Sequence, residues 1–190
     1  MVALDRPAVR AAARETLGHR TLLPGQAEAV AAITAGRDTL ALLPTGGGKS
    51  AIYQLAGVSI EGPSVVVSPL IALQQDQLAS LEALGLTAAA INSTRPAGER
   101  AASLAAFERG EVEFLMLAPE SLADPPVLAS LAAGAPSLLV VDEAHCVAEW
   151  GTDFRPEYRR LGAATEALGR PPVLALTATA SPLVRAERTR

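Results

Sequence analysis

The sequence predicts an α/β fold in which helices cover both faces of a mainly parallel sheet, giving a three-layer sandwich. Short runs of Val, Leu and Ile alternate along the chain with longer stretches rich in Ala, Leu, Glu and Arg. This alternation is expected of repeated strand–helix units. The short runs are apolar at successive positions, so both of their faces would be buried, as in a parallel sheet.

Turn residues between these runs give the predicted elements in order. Proline in a first helical turn and glycine just beyond a last turn mark helix starts and stops. The predicted strands are Thr39–Leu43, Ser64–Ser68, Thr87–Ile91, Phe114–Leu117, Ser137–Val141 and Val173–Leu176. The predicted helices are Pro7–Leu17, Pro24–Ala35, Lys49–Val58, Leu70–Leu84, Pro96–Arg109, Pro126–Ala132, Pro156–Leu168 and one from Pro182 onward.

Composition limits the class of protein. The 190 residues, 49% hydrophobic and 19% charged, fit one globular domain covering 1–190. The single cysteine, Cys146, excludes an intrachain disulfide and a cysteine-based zinc site, so we expect no zinc here. We find no signal peptide or membrane-spanning run and expect a cytoplasmic protein without membrane contact. The net charge of −4 argues against tight DNA binding by bulk charge alone.

A glycine-rich segment follows the first predicted strand and precedes a helix, which is the context of a phosphate-binding loop. It reads Leu-Pro-Thr-Gly-Gly-Gly-Lys-Ser from Leu43 to Ser50, with Leu43 where the strict pattern has glycine. Glycines let the backbone curl so that its N–H groups face phosphate oxygens, and the helix offers its positive end. The alternative is a glycine-rich turn with an incidental lysine.

The one lysine of the chain lies in this segment, beside fifteen arginines elsewhere. A compact ammonium at Lys49 suits the β and γ phosphates of ATP, and the Ser50 hydroxyl suits Mg²⁺. The predicted ATP-binding residues of the loop are Thr45, Gly46, Gly47, Gly48, Lys49 and Ser50.

A later apolar run ends in two carboxylates, in Leu-Leu-Val-Val-Asp-Glu-Ala-His from Leu138 to His145. Asp142 is predicted to hold Mg²⁺, and Glu143 to orient and deprotonate the attacking water. Lys49 and Glu143 are thus the predicted catalytic residues, unless the two acids belong to an ordinary surface turn. No arginine lies in a recognisable position to reach the γ phosphate, so we expect a second domain to supply it.

Three of the six aromatic residues lie within nine positions, at Trp150, Phe154 and Tyr158. Their spacing of four favours a helical core stripe. An intervening glycine and proline argue against one continuous helix. A loop carrying Trp150, Phe154 and Arg155 would also form a stacking platform for unpaired bases. Both interpretations remain open, with Tyr158 the best suited of the three to a core position.

Taken together, these segments resemble the RecQ family of DNA helicases, within helicase superfamily two, over about residues 17–180. Leu43–Ser50 is similar to motif I of that family and Asp142–His145, Asp-Glu-Ala-His, to motif II. Val66–Gln77 is similar to motif Ia on the DNA side. Leu176–Ala180, Leu-Thr-Ala-Thr-Ala, is similar to motif III. The resemblance implies the RecA-like fold of P-loop NTPases.

The resemblance also implies roles for residues outside the phosphate loop. Those implied to bind DNA are Ser68, Pro69, Asn92, Trp150, Phe154 and Arg155. Those implied to couple the ATP site to DNA are His145, Thr177 and Thr179.

The segment from Leu17 to Gln26 resembles the adenine-binding motif of the same family. Gln26 would hydrogen-bond the adenine edge, and His19 would stack on the base. The alternative for His19 is an ordinary surface or packed histidine. Leu23 stands where the family usually has arginine, and this departure is expected to loosen adenine recognition. Thr152 stands where histidine is usual in the aromatic loop, and is expected to soften the coupling between DNA and ATP.

The resemblance implies an ATP-dependent 3′–5′ DNA helicase of recombination and repair, with ATP and Mg²⁺ as cofactors. Single-stranded and duplex DNA and a second RecA-like domain are the expected partners, and the setting is the nucleoid of a bacterium. One alternative is a DEAD-box RNA helicase, which Asp-Glu-Ala-His and the loop Trp150–Phe154 disfavour. The other is a nucleotide- and DNA-binding module without turnover of its own.

Overall fold

The fold is organised around one six-stranded sheet. The structure is a computed structural model that describes residues 3–44, 46–147 and 161–178. The strands are β1 Thr39–Leu42, β2 Ser64–Val67, β3 Ala88–Ile91, β4 Phe114–Leu117, β5 Leu138–Val141 and β6 Val173–Thr177. They lie in the order β1-β6-β5-β2-β4-β3, and every neighbouring pair is parallel. Each predicted strand is confirmed, with its ends within one residue of the prediction.

The helices also follow the predicted order. They are α1 Arg6–Thr16, α2 Gln26–Thr34, α3 Lys49–Ser59, α4 Ile71–Ala83, α5 Ala97–Glu108, α6 Pro125–Ala133 and α7 Leu161–Ala167. Two short 3₁₀ helices, Pro119–Ala123 and Ala144–Val147, were not predicted. The predicted start of α7 at Pro156 and the helix from Pro182 lie outside the described residues. No helix within the described ranges is both long and apolar enough to cross a bilayer.

Local chemistry explains where the first helices begin. The Asp5 carboxylate accepts the N–H of Ala8 at 2.8 Å and so caps α1. At Gly25 the backbone has a φ of +87°, which no helical residue adopts. For this reason α2 begins at Gln26 and not at the predicted Pro24.

Helices cover both faces of the sheet, as predicted. Neighbouring residues along a strand point to opposite faces. Val66 and Val140 pack with buried side chains of α1 to α4, whereas Val65 and Leu139 pack with those of α5 to α7. The fold is therefore a three-layer α/β sandwich with a core on each side of the sheet.

The strand order decides how the two chemical motifs meet. The phosphate loop follows β1 and the acidic pair follows β5, but β6 lies between these strands. Parallel strands place their carboxyl ends at one edge of the sheet. Side chains from the two motifs must therefore reach each other across the end of β6.

We expect Gly57→Ala to lower the free energy of unfolding by about 2 kcal/mol. A Cβ at Gly57 would lie 2.4 Å from the ring of Phe114, which is 1% exposed and packs in the core. Gly98→Ala is the matched control, because a Cβ there meets nothing within 4 Å. That change in exposed α5 should instead stabilise by about 0.5–1 kcal/mol. Urea denaturation measures both, and equal effects at the two glycines would contradict this packing.

Candidate active site

The phosphate loop makes a tight reversal between β1 and α3. Gly46 and Gly48 have φ of +76° and +69°, in the left-handed region that disfavours other residues. At Gly47 a Cβ would lie 2.7 Å from the carbonyl oxygen of Pro44. All three predicted glycines are thus required by the backbone. Thr45 lies outside the described residues.

The loop delivers the amino end of α3 to the same edge of the sheet. Lys49 and Ser50 are the first two residues of this helix, and Gly48 precedes it. Among the described residues no side chain caps its first turn. Unpaired N–H groups and the positive end of the helix dipole favour an anion at this point.

An ion pair joins the loop to the acidic motif. Lys49 Nζ lies 2.5 Å from Glu143 Oε1. The two side chains are only 14% and 19% exposed, so the pair is shielded from solvent. The two predicted catalytic residues are therefore in direct contact, across the end of β6.

Asp142 lies at the end of β5 and is buried. Its Oδ1 accepts the N–H of Glu143 at 2.9 Å, and its Oδ2 lies 3.5 Å from Ser68 Oγ, which donates. Burial raises the pKa of Asp142, the charge of Glu143 adds to the rise, and Lys49 opposes it. A buried carboxylate is stabilised by a nearby cation, so the Asp142 carboxylate is suited to bind Mg²⁺.

Glu143 is held in an uncommon conformation. Its φ is +49°, which is costly for a residue with a Cβ. Its second oxygen, Oε2, lies 3.2 Å from His145 Nδ1. That nitrogen is also 3.1 Å from Thr177 Oγ1 at the end of β6. The structure thus joins Lys49, Glu143, His145 and Thr177 in one cluster, whereas Thr179 lies outside the described residues.

Gln26 makes contacts that the sequence did not predict. Its Nε2 donates to the carbonyl of Gly48 at 2.8 Å and lies 3.4 Å from that of Gly47, while its Oε1 accepts the N–H of Leu23 at 2.8 Å. The residue is 3% exposed, so its carboxamide faces the phosphate loop in this structure. A contact with adenine would require exchanging one of these bonds. His19 is exposed.

The predicted DNA-side residues divide into three groups. Ser68 and Asn92 are buried, at 0% and 1% exposure, and are hydrogen-bonded inside the protein. Their role in binding DNA stays a prediction, and in this conformation both side chains contact partners inside the protein. Pro69 is half-buried. The predicted residues of the aromatic loop lie outside the described part of the chain: Trp150, Phe154 and Arg155.

The sequence did not predict the burial of two further polar residues of this region. Gln74 interrupts the core-facing stripe that Leu78 and Leu81 continue, and such a polar break is a signal that could have been found. Tyr53 is 1% exposed, and its hydroxyl has no partner at hydrogen-bonding geometry within the described residues. Burial raises the pKa of this hydroxyl well above its usual value, and the charge of Asp142 adds to the rise.

Residues 23–186 match the family described as DEAD/DEAH box helicase. The chain is 48% identical over 165 residues to the probable ATP-dependent DNA helicase RecS of Bacillus subtilis (strain 168), covering 86% of this chain and 33% of that protein. It is 40% identical over 169 residues to the ATP-dependent DNA helicase RecQ of the same organism, covering 88% and 29%. The resemblance to RecQ helicases is confirmed, and the chain spans about a third of these relatives.

Solved structures share the fold. The helicase Lhr of Mycobacterium smegmatis, bound to ssDNA and AMP-PNP, matches with a TM-score of 0.72 at 23% identity, over 94% of this chain and 26% of that one. A hypothetical ATP-dependent RNA helicase from Sulfolobus tokodaii matches with a TM-score of 0.70 at 18% identity, over 93% and 52%. At these identities the likeness concerns the fold alone.

We expect Asp142→Asn to stabilise the metal-free chain, because the amide carries no charge that burial penalises. Because burial raises the pKa of Asp142, the folded chain binds this proton more readily than the unfolded chain does. The stability of the unsubstituted protein should therefore rise as the pH falls through the folded pKa. Thermal melts in EDTA at several pH values measure this. Exposed Asp124→Asn is the control, and a destabilised Asp142→Asn would show that the charge is well accommodated without a cation.

Proposed function

Because the chain belongs to the DEAD/DEAH box helicase family, we propose that it binds and hydrolyses ATP as half of a DNA helicase motor. We further propose that this motor moves 3′–5′ on single-stranded DNA, in recombination and repair. The shielded ion pair between Lys49 and Glu143 is the observation that supports ATP binding and hydrolysis. It brings a phosphate-binding cation and a general base to one point, beside the buried carboxylate of Asp142.

The triphosphate of ATP would bind at the amino end of α3. Lys49 would exchange Glu143 for the β and γ phosphates, and the uncapped amides of the helix would face the same anion. The Ser50 hydroxyl and the Asp142 carboxylate would hold Mg²⁺. The described residues contain no group of three or more metal-ligating side chains. This set fits Mg²⁺, which commonly uses one or two protein oxygens with substrate phosphates and neutralises their charge.

Glu143 would act as the general base. Once Lys49 turns to the phosphates, Oε1 loses its partner, whereas Oε2 keeps its contact with His145. The carboxylate thus stays oriented by one oxygen and can take a proton through the other. Water attacks the γ phosphorus, the bond to the β–γ bridging oxygen breaks, and ADP and phosphate are formed. Glu143 receives the proton of the attacking water.

DNA is the proposed polymer substrate, as the names of RecS and RecQ suggest for those relatives. The net charge of −4 implies that contacts with DNA are local. We propose Ser68 and Pro69, the turn of residues 92–94 and the aromatic loop, with Trp150, Phe154 and Arg155, as such contacts. The RNA-helicase alternative gains little from the Sulfolobus structure, which at 18% identity shares only the fold.

A second RecA-like domain is proposed to complete the site. The chain spans about a third of the curated relatives, so the longer proteins have room for it. It would supply the arginine that stabilises charge on the γ phosphate. We therefore expect this chain alone to bind Mg·ATP with little turnover. Titration with a fluorescent ATP analogue and a phosphate-release assay, with and without single-stranded DNA, test this. DNA-stimulated hydrolysis by the chain alone would overturn the need for a second domain.

We expect Lys49→Ala to weaken Mg·ATP binding at least about tenfold, which is about 1.4 kcal/mol. The change removes the one ammonium that can reach the phosphates, and calorimetric titration measures the loss. Arg109→Ala is the control, because Arg109 forms an exposed ion pair with Glu111 at 2.7 Å. Equal affinities of Lys49→Ala and the unsubstituted chain would refute the loop assignment.

We expect Glu143→Gln to preserve nucleotide binding and to reduce hydrolysis by about 100-fold or more in a protein that contains both motor domains. The amide keeps the shape of the side chain but cannot take a proton. Glu111→Gln, from the exposed pair, should change neither quantity. Loss of binding in Glu143→Gln would instead assign this residue a structural role.

A further inference from the structure

A continuous set of hydrogen bonds, buried except at its outer end, runs from the acidic motif to the protein surface. We name it the Gln74 network, and its members are Asp142, Ser68, Gln74, Asn92 and Thr94. Gln74 lies at its centre and is 0% exposed. The network includes three strand ends, those of β5, β2 and β3.

The inner half of the network connects Gln74 to the proposed metal site. Gln74 Nε2 donates to the carbonyl oxygen of Ser68 at 3.0 Å. The hydroxyl of the same serine lies 3.5 Å from Asp142 Oδ2. The backbone N–H of Asp142 donates to the carbonyl of Val67 at 2.8 Å, which joins the two strand ends a second time. A movement of the Asp142 carboxylate therefore acts on the position of Ser68.

The outer half connects Gln74 to an exposed turn. Asn92 Nδ2 donates to Gln74 Oε1 at 2.8 Å. Asn92 Oδ1 accepts the N–H of Thr94 at 3.1 Å and its hydroxyl at 2.7 Å. These bonds fix the orientation of the Asn92 carboxamide, because its donor and acceptor ends face different partners. Thr94 itself is exposed, so the network ends at the surface.

Simple stabilisation of the core does not explain the residue at position 74. Leu78 and Leu81 of the same helix face are buried apolar side chains. An apolar residue at position 74 would continue this stripe without a carboxamide whose buried groups all need partners. The carboxamide instead spans the end of β4, which lies between β2 and β3. Its two ends thus tie together loops that no shared strand pairing connects.

We propose that Gln74 is a positioning residue that couples the Asp142 carboxylate to the surface turn of residues 92–94. A change of charge or ligand at Asp142 displaces Ser68, then Gln74, then Asn92. It thereby changes the conformation of the surface turn. The identity of the two ligands, Mg·ATP at one end and DNA at the other, rests on the proposed function. The coupling itself concerns only groups of this chain.

Nuclear magnetic resonance of the ¹⁵N-labelled chain tests the coupling without any ligand. The readout is the backbone amide of Thr94, whose N–H bonds to Asn92. Asp142→Asn should shift this signal in the otherwise unsubstituted chain. In a Gln74→Met background, which keeps the side-chain volume, the same shift should be at least halved. An undiminished shift in that background, or no shift in the first case, would overturn the proposal.

Matched variants separate coupling from a general loss of order. Gln54→Met replaces another buried glutamine, which lies on α3 and is 4% exposed. In this background Asp142→Asn should still shift the Thr94 signal fully. Gln74→Glu serves if Gln74→Met does not fold, because it removes the donor to Ser68 and keeps an acceptor for Asn92. If Asp142→Asn shifts the Thr94 signal as far in the Gln74→Glu background as in the unsubstituted chain, the proposal is also contradicted.

A second arm adds Mg·AMP-PNP to the chain. If nucleotide shifts the amides of Gly46 to Gly48 and also that of Thr94, and Gln74→Met abolishes only the latter, both proposals are supported. If the glycine amides do not respond, the proposed function fails. The Asp142→Asn comparison still decides the coupling, since it uses no nucleotide.

Discussion

The candidate site depends on the ion pair between Lys49 and Glu143. The sheet places β6 between the strands that carry these motifs, so the two side chains close the gap between them. Exposed ion pairs contribute little to stability, but this pair is largely shielded. Each charge neutralises the other as long as no anion is near. In the proposed function a triphosphate would draw Lys49 away from Glu143 and leave the Glu143 carboxylate available as a base.

The acidic motif is organised at a cost to stability. Asp142 is a buried carboxylate with a raised pKa, and Glu143 has a positive φ. Neither feature helps the chain to fold. The rigid sheet beneath them, with β5 buried along its whole length, tolerates this cost. The candidate site thus combines two locally unfavourable features with a strand that is buried along its whole length.

The sequence predicted the strands well because each is a short apolar run buried on both faces. It also predicted that the loop after β1 and the acidic pair after β5 lie near each other, since both have strong local patterns and follow parallel strands. It did not predict the burial of Ser68 and Asn92 or the contacts of Gln26. Those depend on side-chain orientation and on neighbours distant in sequence. The two 3₁₀ helices were missed because four or five residues carry no periodic signal.

Lys49 is the only lysine of the chain, so [¹⁵N]lysine labelling gives one side-chain ammonium signal. This signal tests the exchange of partners directly. Glu143→Gln is expected to shift this signal in the absence of nucleotide. Mg·AMP-PNP should then bring the signals of both proteins to a common position, because Lys49 contacts phosphate in each. A lysine signal that stays unchanged while nucleotide saturates the glycine amides of the loop would show that Lys49 does not exchange Glu143 for phosphate.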